Sequence, residues 1–121
     1  MLRRLVEERA VRGVTESDLE SEALTLFRRW RLPMPMLQYI VEHRGRIVGR
    51  LDLAYPERRV GIELDGFRFH DTRDSFDAER ARGNELQAMG WNILRVTSKH
   101  LEQNPEGVVE WVRRALGGDR A

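Results

Sequence analysis

Arg50-Leu51-Asp52-Leu53-Ala54-Tyr55 and Val60-Gly61-Ile62-Glu63-Leu64-Asp65, separated by Pro56-Glu57-Arg58-Arg59, decide how the chain is read. In the first run Leu51, Leu53 and Tyr55 alternate with Arg50, Asp52 and Ala54. In the second, Val60, Ile62 and Leu64 alternate with Gly61, Glu63 and Asp65. Alternation with a period of two predicts strands with one apolar and one polar face, and the short turn-like connection makes them a hairpin. Pairing Tyr55 with Val60 sets Asp52 opposite Glu63, and Leu53 and Leu51 opposite Ile62 and Leu64. A slip by one residue would face apolar against polar sides, so only a slip by two competes, and it sets Asp52 opposite Asp65. Acids cluster in either register.

Facing carboxylates repel by about 3 kcal/mol before screening, taking ~5 Å and an effective dielectric of about 20. A cation between them removes that cost. Hard divalent ions such as Mg²⁺ or Mn²⁺ prefer carboxylate oxygens and keep several waters, so Asp52, Glu63 and Asp65 suit metal-assisted hydrolysis of a phosphodiester. The structural alternative is an acid cluster neutralised by Arg50 and other arginines.

Outward from the hairpin, Leu37 to Glu42 reads as a preceding strand and Arg44-Gly45-Arg46 as a turn, which completes a three-stranded antiparallel meander. A helical pattern from Thr72 to Met89, with Phe76, Leu86 and Met89 as anchors and Gly90 as its stop, leads into the strand Trp91 to Val96. That helix is a crossover, so the last two strands run parallel. Ser17-Asp18-Leu19-Glu20 reads as a capping box opening a helix from Asp18 to Arg31. Asn104-Pro105 opens a final helix with Val108, Val109, Val112 and Leu116 inward. Leu2, Leu5, Val6, Ala10 and Val11 predict a separate short amphipathic helix over residues 1–13, ahead of a single domain over 14–121. The fold class expected is α/β, a mixed four-stranded sheet flanked by helices.

With 121 residues, 40% of them hydrophobic, the chain has room for one modest core. It has no cysteine, which excludes disulfides, thiolate zinc sites and a cysteine nucleophile. The start Met1-Leu2-Arg3-Arg4 is too charged for a signal peptide and no apolar run reaches membrane-spanning length, so a cytoplasmic protein is expected. The net charge of +1 hides a segregation: residues 28–60 carry eight arginines and three acids, and residues 61–80 six acids and three arginines. A basic flank beside an acidic pocket fits a polyanion gripped by its phosphates; ordinary solvated charge is the plainer alternative. Arg44, Arg46, Arg50, Arg58 and Arg59 are the candidate backbone contacts.

Arg50-Leu51-Asp52, Glu63-Leu64-Asp65-Gly66 with His70 beyond it, Glu79-Arg80-Ala81-Arg82, and Gly90-Trp91-Asn92-Ile93-Leu94-Arg95-Val96-Thr97 together resemble the PD-(D/E)xK nuclease superfamily. Within it they are most similar to bacterial endonuclease-like domains related to very-short-patch-repair endonucleases. Ser17 to Glu20, with Pro33 beyond, looks like that group's first core helix. The resemblance implies a restriction-endonuclease-like core in which Asp52 and Glu63 bind the catalytic ion, Glu20 reaches in from the first helix, and Asp65, His70 and Arg82 complete the pocket. It departs from the pattern in two places. The superfamily's lysine would fall where Asp65 stands, the only lysine being Lys99, and Glu79 replaces the group's usual aspartate. Without cysteine the structural zinc site of the very-short-patch enzymes is impossible, and mismatch specificity does not carry over.

Several of these residues also have plain structural readings. Glu20 is explained by the capping box, Glu79 and Arg82 by an i, i+3 ion pair, and His70 by a surface or hydrogen-bonding role. The expectation is a Mg²⁺- or Mn²⁺-dependent endonuclease acting on DNA with little sequence preference, a partner or a homodimer supplying any specificity. The alternatives are a nucleic-acid-binding module that does not cut and a toxin-like RNase domain.

Overall fold

Strands Met36–His43 (β1), Arg46–Tyr55 (β2), Val60–Asp65 (β3) and Asn92–Thr97 (β4) form one sheet in that spatial order. The computed structural model describes residues 15–66 and 73–117, so the helix expected over 1–13 and His70 lie outside the described residues. β1 and β2 are antiparallel, as are β2 and β3, while β4 runs parallel to β3. This is the meander and crossover that the alternation and the helical period predict. The helices are Glu16–Arg29 (α1), Arg73–Ala88 (α2), Ser98–Gln103 (α3) and Pro105–Ala115 (α4). None of the described helices is long and apolar enough to cross a membrane.

The sheet separates two cores. On one side Leu19, Ala23 and Phe27 of α1, Leu101 of α3 and Val108, Val109 and Val112 of α4 close over Leu53, Tyr55, Val60, Ile62, Leu64 and Val96. Burying a side chain such as Phe27 or Ile62 completely contributes about 1.5–3 kcal/mol. On the other side Leu86 of α2 packs with Val41, Leu51, Ala54 and Trp91. The alternating apolar positions supply the first face. The small residues Ala54 and Gly61 leave room on the second.

Leu51 departs from the expected alternation. It belongs with Ala54 on the α2 side and not with Leu53. The pairing of β1 with β2 passes from Leu37↔Leu53 to Tyr39↔Leu51 with no Gln38–Asp52 pair between them, and Gln38 has φ 51°. The pairing is interrupted at that point, and Leu53 on one side of the break and Leu51 on the other face opposite cores. Gly61 accommodates the result, because a Cβ there would stand 2.6 Å from Leu51 Cδ1 and 2.9 Å from Ile93 Cδ1.

Two smaller readings are also corrected. α1 is capped by Thr15, whose hydroxyl accepts from the Asp18 N–H, so Ser17 is inside the helix and Ser17 to Glu20 is no capping box. Phe76 is 51% exposed and anchors nothing in the core. The short helix α3 is begun by a box in which Thr97 Oγ1 accepts from His100 N–H and His100 Nδ1 accepts from Thr97 N–H.

Candidate active site

The backbone ladder between β2 and β3 stops early. Its pairs are Tyr55↔Val60, Ala54↔Gly61 and Leu53↔Ile62, the expected register, and beyond them the strands part. At the fork the Asp52 carboxylate takes over: Oδ2 accepts from the Leu64 N–H at 2.8 Å. A side chain thus replaces a lost interstrand bond, since a buried N–H left unpaired would cost about 1–3 kcal/mol. Asp52 is 8% exposed and is the one charged side chain buried among the described residues.

The fork opens into a cleft of about 980 Å³ between α2 and the sheet, lined by Asp52, Glu63 and Asp65 and by Arg50, Arg82 and Arg95. The side chain of Glu63 is 14% exposed and lies between two guanidiniums. Arg82, from the middle of α2, hydrogen-bonds Oε2, and Arg95, its neighbour in the parallel register, stands 3.6 Å from Oε1. Glu79 closes the ring at 4.0 Å from Arg82 and 3.8 Å from Arg95. Two guanidiniums around a half-buried carboxylate offset its desolvation, and the acid cluster gains the cationic neighbours that its repulsion required. Those cations are Arg82 and Arg95.

Arg82 has a seat of its own. It donates to the Arg50 carbonyl at 3.3 Å. Gly49 makes the space, because a Cβ at that position would come within 2.7 Å of Arg82 Nε. At the cleft's rim Arg80 stacks over the Phe76 ring at 4.6 Å from its centroid.

Of the residues the sequence singled out, Asp52, Glu63, Asp65, Arg50 and Arg82 meet in this cleft. Glu20 is not among its lining residues and instead accepts from Gln38 Nε2 at 2.5 Å. Arg44 lies in the β1–β2 turn and Arg46 directly follows it. Arg58 and Arg59 sit at the opposite, hairpin-turn end of β2 and cap helices: Arg58 donates to the Leu116 carbonyl at 3.1 Å and Arg59 to the Met89 carbonyl at 2.6 Å. Cationic donors satisfy the free carbonyls at helix C-termini, which gives both arginines a structural role at that end of the sheet. Sequence reasoning missed Arg95. Its signal was the alternation of Ile93 and Arg95 against Leu94 and Val96 in a strand parallel to β3.

Asp52, Glu63 and Asp65 share the cleft but do not converge as a cage. Among the described residues no three acidic or histidine side chains come close enough together to hold a metal ion. The reason is the fork, which turns Asp52 toward the Leu64 N–H, together with the arginines that draw Glu63 to α2 and β4. The donors still fit Mg²⁺ or Mn²⁺, which bind through one or two carboxylates and fill the remaining positions with water and phosphate oxygens.

A family model, REase_MTES_1575, matches residues 38–116. The chain is 30% identical over 109 residues to Rv2248 and MT2308, uncharacterized proteins of Mycobacterium tuberculosis strains H37Rv and CDC 1551. That match covers 90% of this chain and 40% of each relative. YcjD of Escherichia coli K12 is 35% identical over 66 residues, 54% of either chain. Among solved structures the catalytic domain of the homing endonuclease I-Bth0305I is similar, with a TM-score of 0.63 at 13% identity, covering 89% of this chain and 99% of that domain. The likeness is one of fold. The matched span 38–116 contains Asp52, Glu63, Arg82 and Arg95 and leaves out Glu20.

Proposed function

Because the chain belongs to the REase_MTES_1575 family of restriction-endonuclease-like proteins, we propose that the cleft between α2 and the sheet hydrolyses DNA phosphodiester bonds with Mg²⁺ or Mn²⁺. What supports this is the meeting of a buried carboxylate, Asp52, and a half-buried one, Glu63, with two guanidiniums in one solvent-open cleft. Asp52 and Glu63 are the ion's protein ligands. Once bound, the ion supplies acidification of a water and neutralisation of charge on the phosphate. Asp65 orients the attacking water. Arg82 and Arg95 hold the non-bridging oxygens as negative charge gathers on them. Glu20 and His70 belong to the proposal as supporting groups, His70 as a proton shuttle. The cleft grips a phosphodiester, which carries no base information, so it confers little sequence preference of its own. Kinship with the very-short-patch-repair endonucleases is part of the same proposal and rests on the order of the motifs from Arg50 to Thr97.

The test is conversion of supercoiled plasmid to nicked and linear forms. Cleavage is expected with Mg²⁺ or Mn²⁺, none with chelator, and none from Asp52→Asn or Glu63→Gln. One observation favours a second reading, a nucleic-acid-binding module that does not cut: Glu63 is engaged by both Arg82 and Arg95, and among the described residues no three acidic or histidine side chains gather closely enough to hold an ion. DNA bound equally with chelator and left intact under every divalent metal would decide for it.

A further inference from the structure

The β1–β2 hairpin outruns the rest of the sheet. β3 joins β2 only at Leu53, Ala54 and Tyr55, whereas β1 stays paired with β2 as far as His43↔Arg46. Val41 and Val48 fix the root of this ribbon in the core beneath α2. From Glu42 to Ile47 every residue is exposed. The tip turns through Arg44 and Gly45 at φ 54° and 78°, the paired left-handed residues of a two-residue type I′ turn, whose twist matches that of its strands. The tip is therefore a narrow, stiff two-stranded projection of about 10 Å at ~3.3 Å per residue.

Its chemistry is unusual for a hairpin end. Ile47 is 68% exposed, the most exposed of the large hydrophobic side chains described. Neither Arg44 nor Arg46 has an ion-pair or hydrogen-bond partner for its guanidinium among the described residues. The described domain gains nothing in packing from an exposed isoleucine directly after Arg46. A duplex does: the major groove of B-DNA, about 12 Å wide and 8.5 Å deep, admits a two-stranded ribbon, offers guanine N7 and O6 to arginine, and offers thymine methyls to an apolar side chain. Arg46 lies six residues from Asp52 along β2, about 20 Å, so a groove contact and the cleft would fall within one turn of about 34 Å.

We propose that the ribbon tip from Glu42 to Ile47 is a reading arm that enters the major groove of duplex DNA beside the cleft, and that it sets B-form DNA as the substrate class. The inference rests on the nuclease reading of the cleft. A-form RNA has a major groove too deep and narrow for side chains to read, so the arm discriminates against it.

Fluorescence anisotropy on labelled DNA and RNA duplexes of matching sequence, over a salt series, tests this in the Asp52→Asn background. The tip is altered by Arg44→Asn with Arg46→Gln, since asparagine tolerates the left-handed turn position, and circular dichroism checks that both proteins are folded. Expected are preference of the parent for DNA, a loss of about tenfold or more in DNA affinity from the double change, and a salt slope shallower by about 1 to 2. Ile47→Thr should weaken binding to thymine-rich duplexes more than to others. Equal affinity for DNA and RNA in the parent, no DNA binding by the parent, or an unaltered affinity and slope after the tip changes would each overturn the arm. Plasmid cleavage, assayed separately with Asp52 intact, keeps the two readings apart. Cutting with an idle tip removes only the arm, and tip-dependent binding without cutting under any metal removes only the hydrolase.

Discussion

Arg82 grips Glu63 from across the cleft while donating to the carbonyl of Arg50, so one guanidinium ties α2 to both β2 and β3. The contact is built from below by Gly49. A guanidinium placed to neutralise Glu63 is, on the proposed function, equally placed to meet a phosphate.

Arg82→Gln is expected to lower plasmid cleavage by about 10²- to 10³-fold, the usual cost of deleting a donor aimed at developing charge. Arg82→Lys should recover part of that loss, because a point charge replaces the fork. Gly49→Ala pushes Arg82 off its seat without touching an acid and should reduce cleavage in the same direction with less effect. Thermal denaturation of the three variants beside the cleavage assay separates this from unfolding.

Asp52 holds the fork, the proposed function gives it a chemical role as well, and two substitutions divide the two. Asp52→Ala strands the Leu64 N–H at the fork and should cost about 1–3 kcal/mol in urea denaturation. Asp52→Asn keeps an acceptor oxygen and should lose less stability. Both should be inactive, so an asparagine variant that folds like the parent and still cuts would contradict the ligand role.

Which of these relationships could be read beforehand follows from how local they are. The register of β2 on β3, the crossover to β4 and the gathering of Asp52 with Glu63 follow from alternation and connection length, which neighbouring residues set. Leu51 changes side where the paired strand is broken at Gln38, whose left-handed conformation has no propensity signal in the sequence. Arg58 and Arg59 looked like free charge because their partners, the Leu116 and Met89 carbonyls, lie 58 and 30 residues away and exist only once α4 and α2 end beside the turn. Glu20 looked like a capping residue because Thr15 and Ser17 compete for one helix start, and Thr15 takes it.

Gly61→Ala should destabilise the fold by about 1–3 kcal/mol, as overpacking does when neighbours cannot yield. The added methyl meets Leu51 and Ile93, and Leu51 is fully buried. Leu51→Ala with Gly61→Ala should recover part of the loss, since the two side chains claim the same space. A double-mutant cycle in urea denaturation measures that coupling.

Tyr55 gives the fold an alkaline limit. Its hydroxyl donates to the Pro33 carbonyl at 2.7 Å, and burial raises the phenol well above its ordinary value near 10. The neutral form is thus favoured by folding. With the folded pKa above the unfolded one, this contribution is complete below the unfolded value of about 10 and disappears as pH climbs toward the folded one. Stability should be insensitive to Tyr55 ionisation near neutrality and decline with rising pH above about 10. Tyr55→Phe removes the bond to an exposed proline whose carbonyl water can satisfy, so the neutral-pH cost should sit at the low end of about 0.5–1.5 kcal/mol. Above pH 10 the phenylalanine variant should lose stability less steeply than the parent, and the gap between their denaturation midpoints should close. Parallel decline of the two proteins would mean that the phenol is not protected by folding.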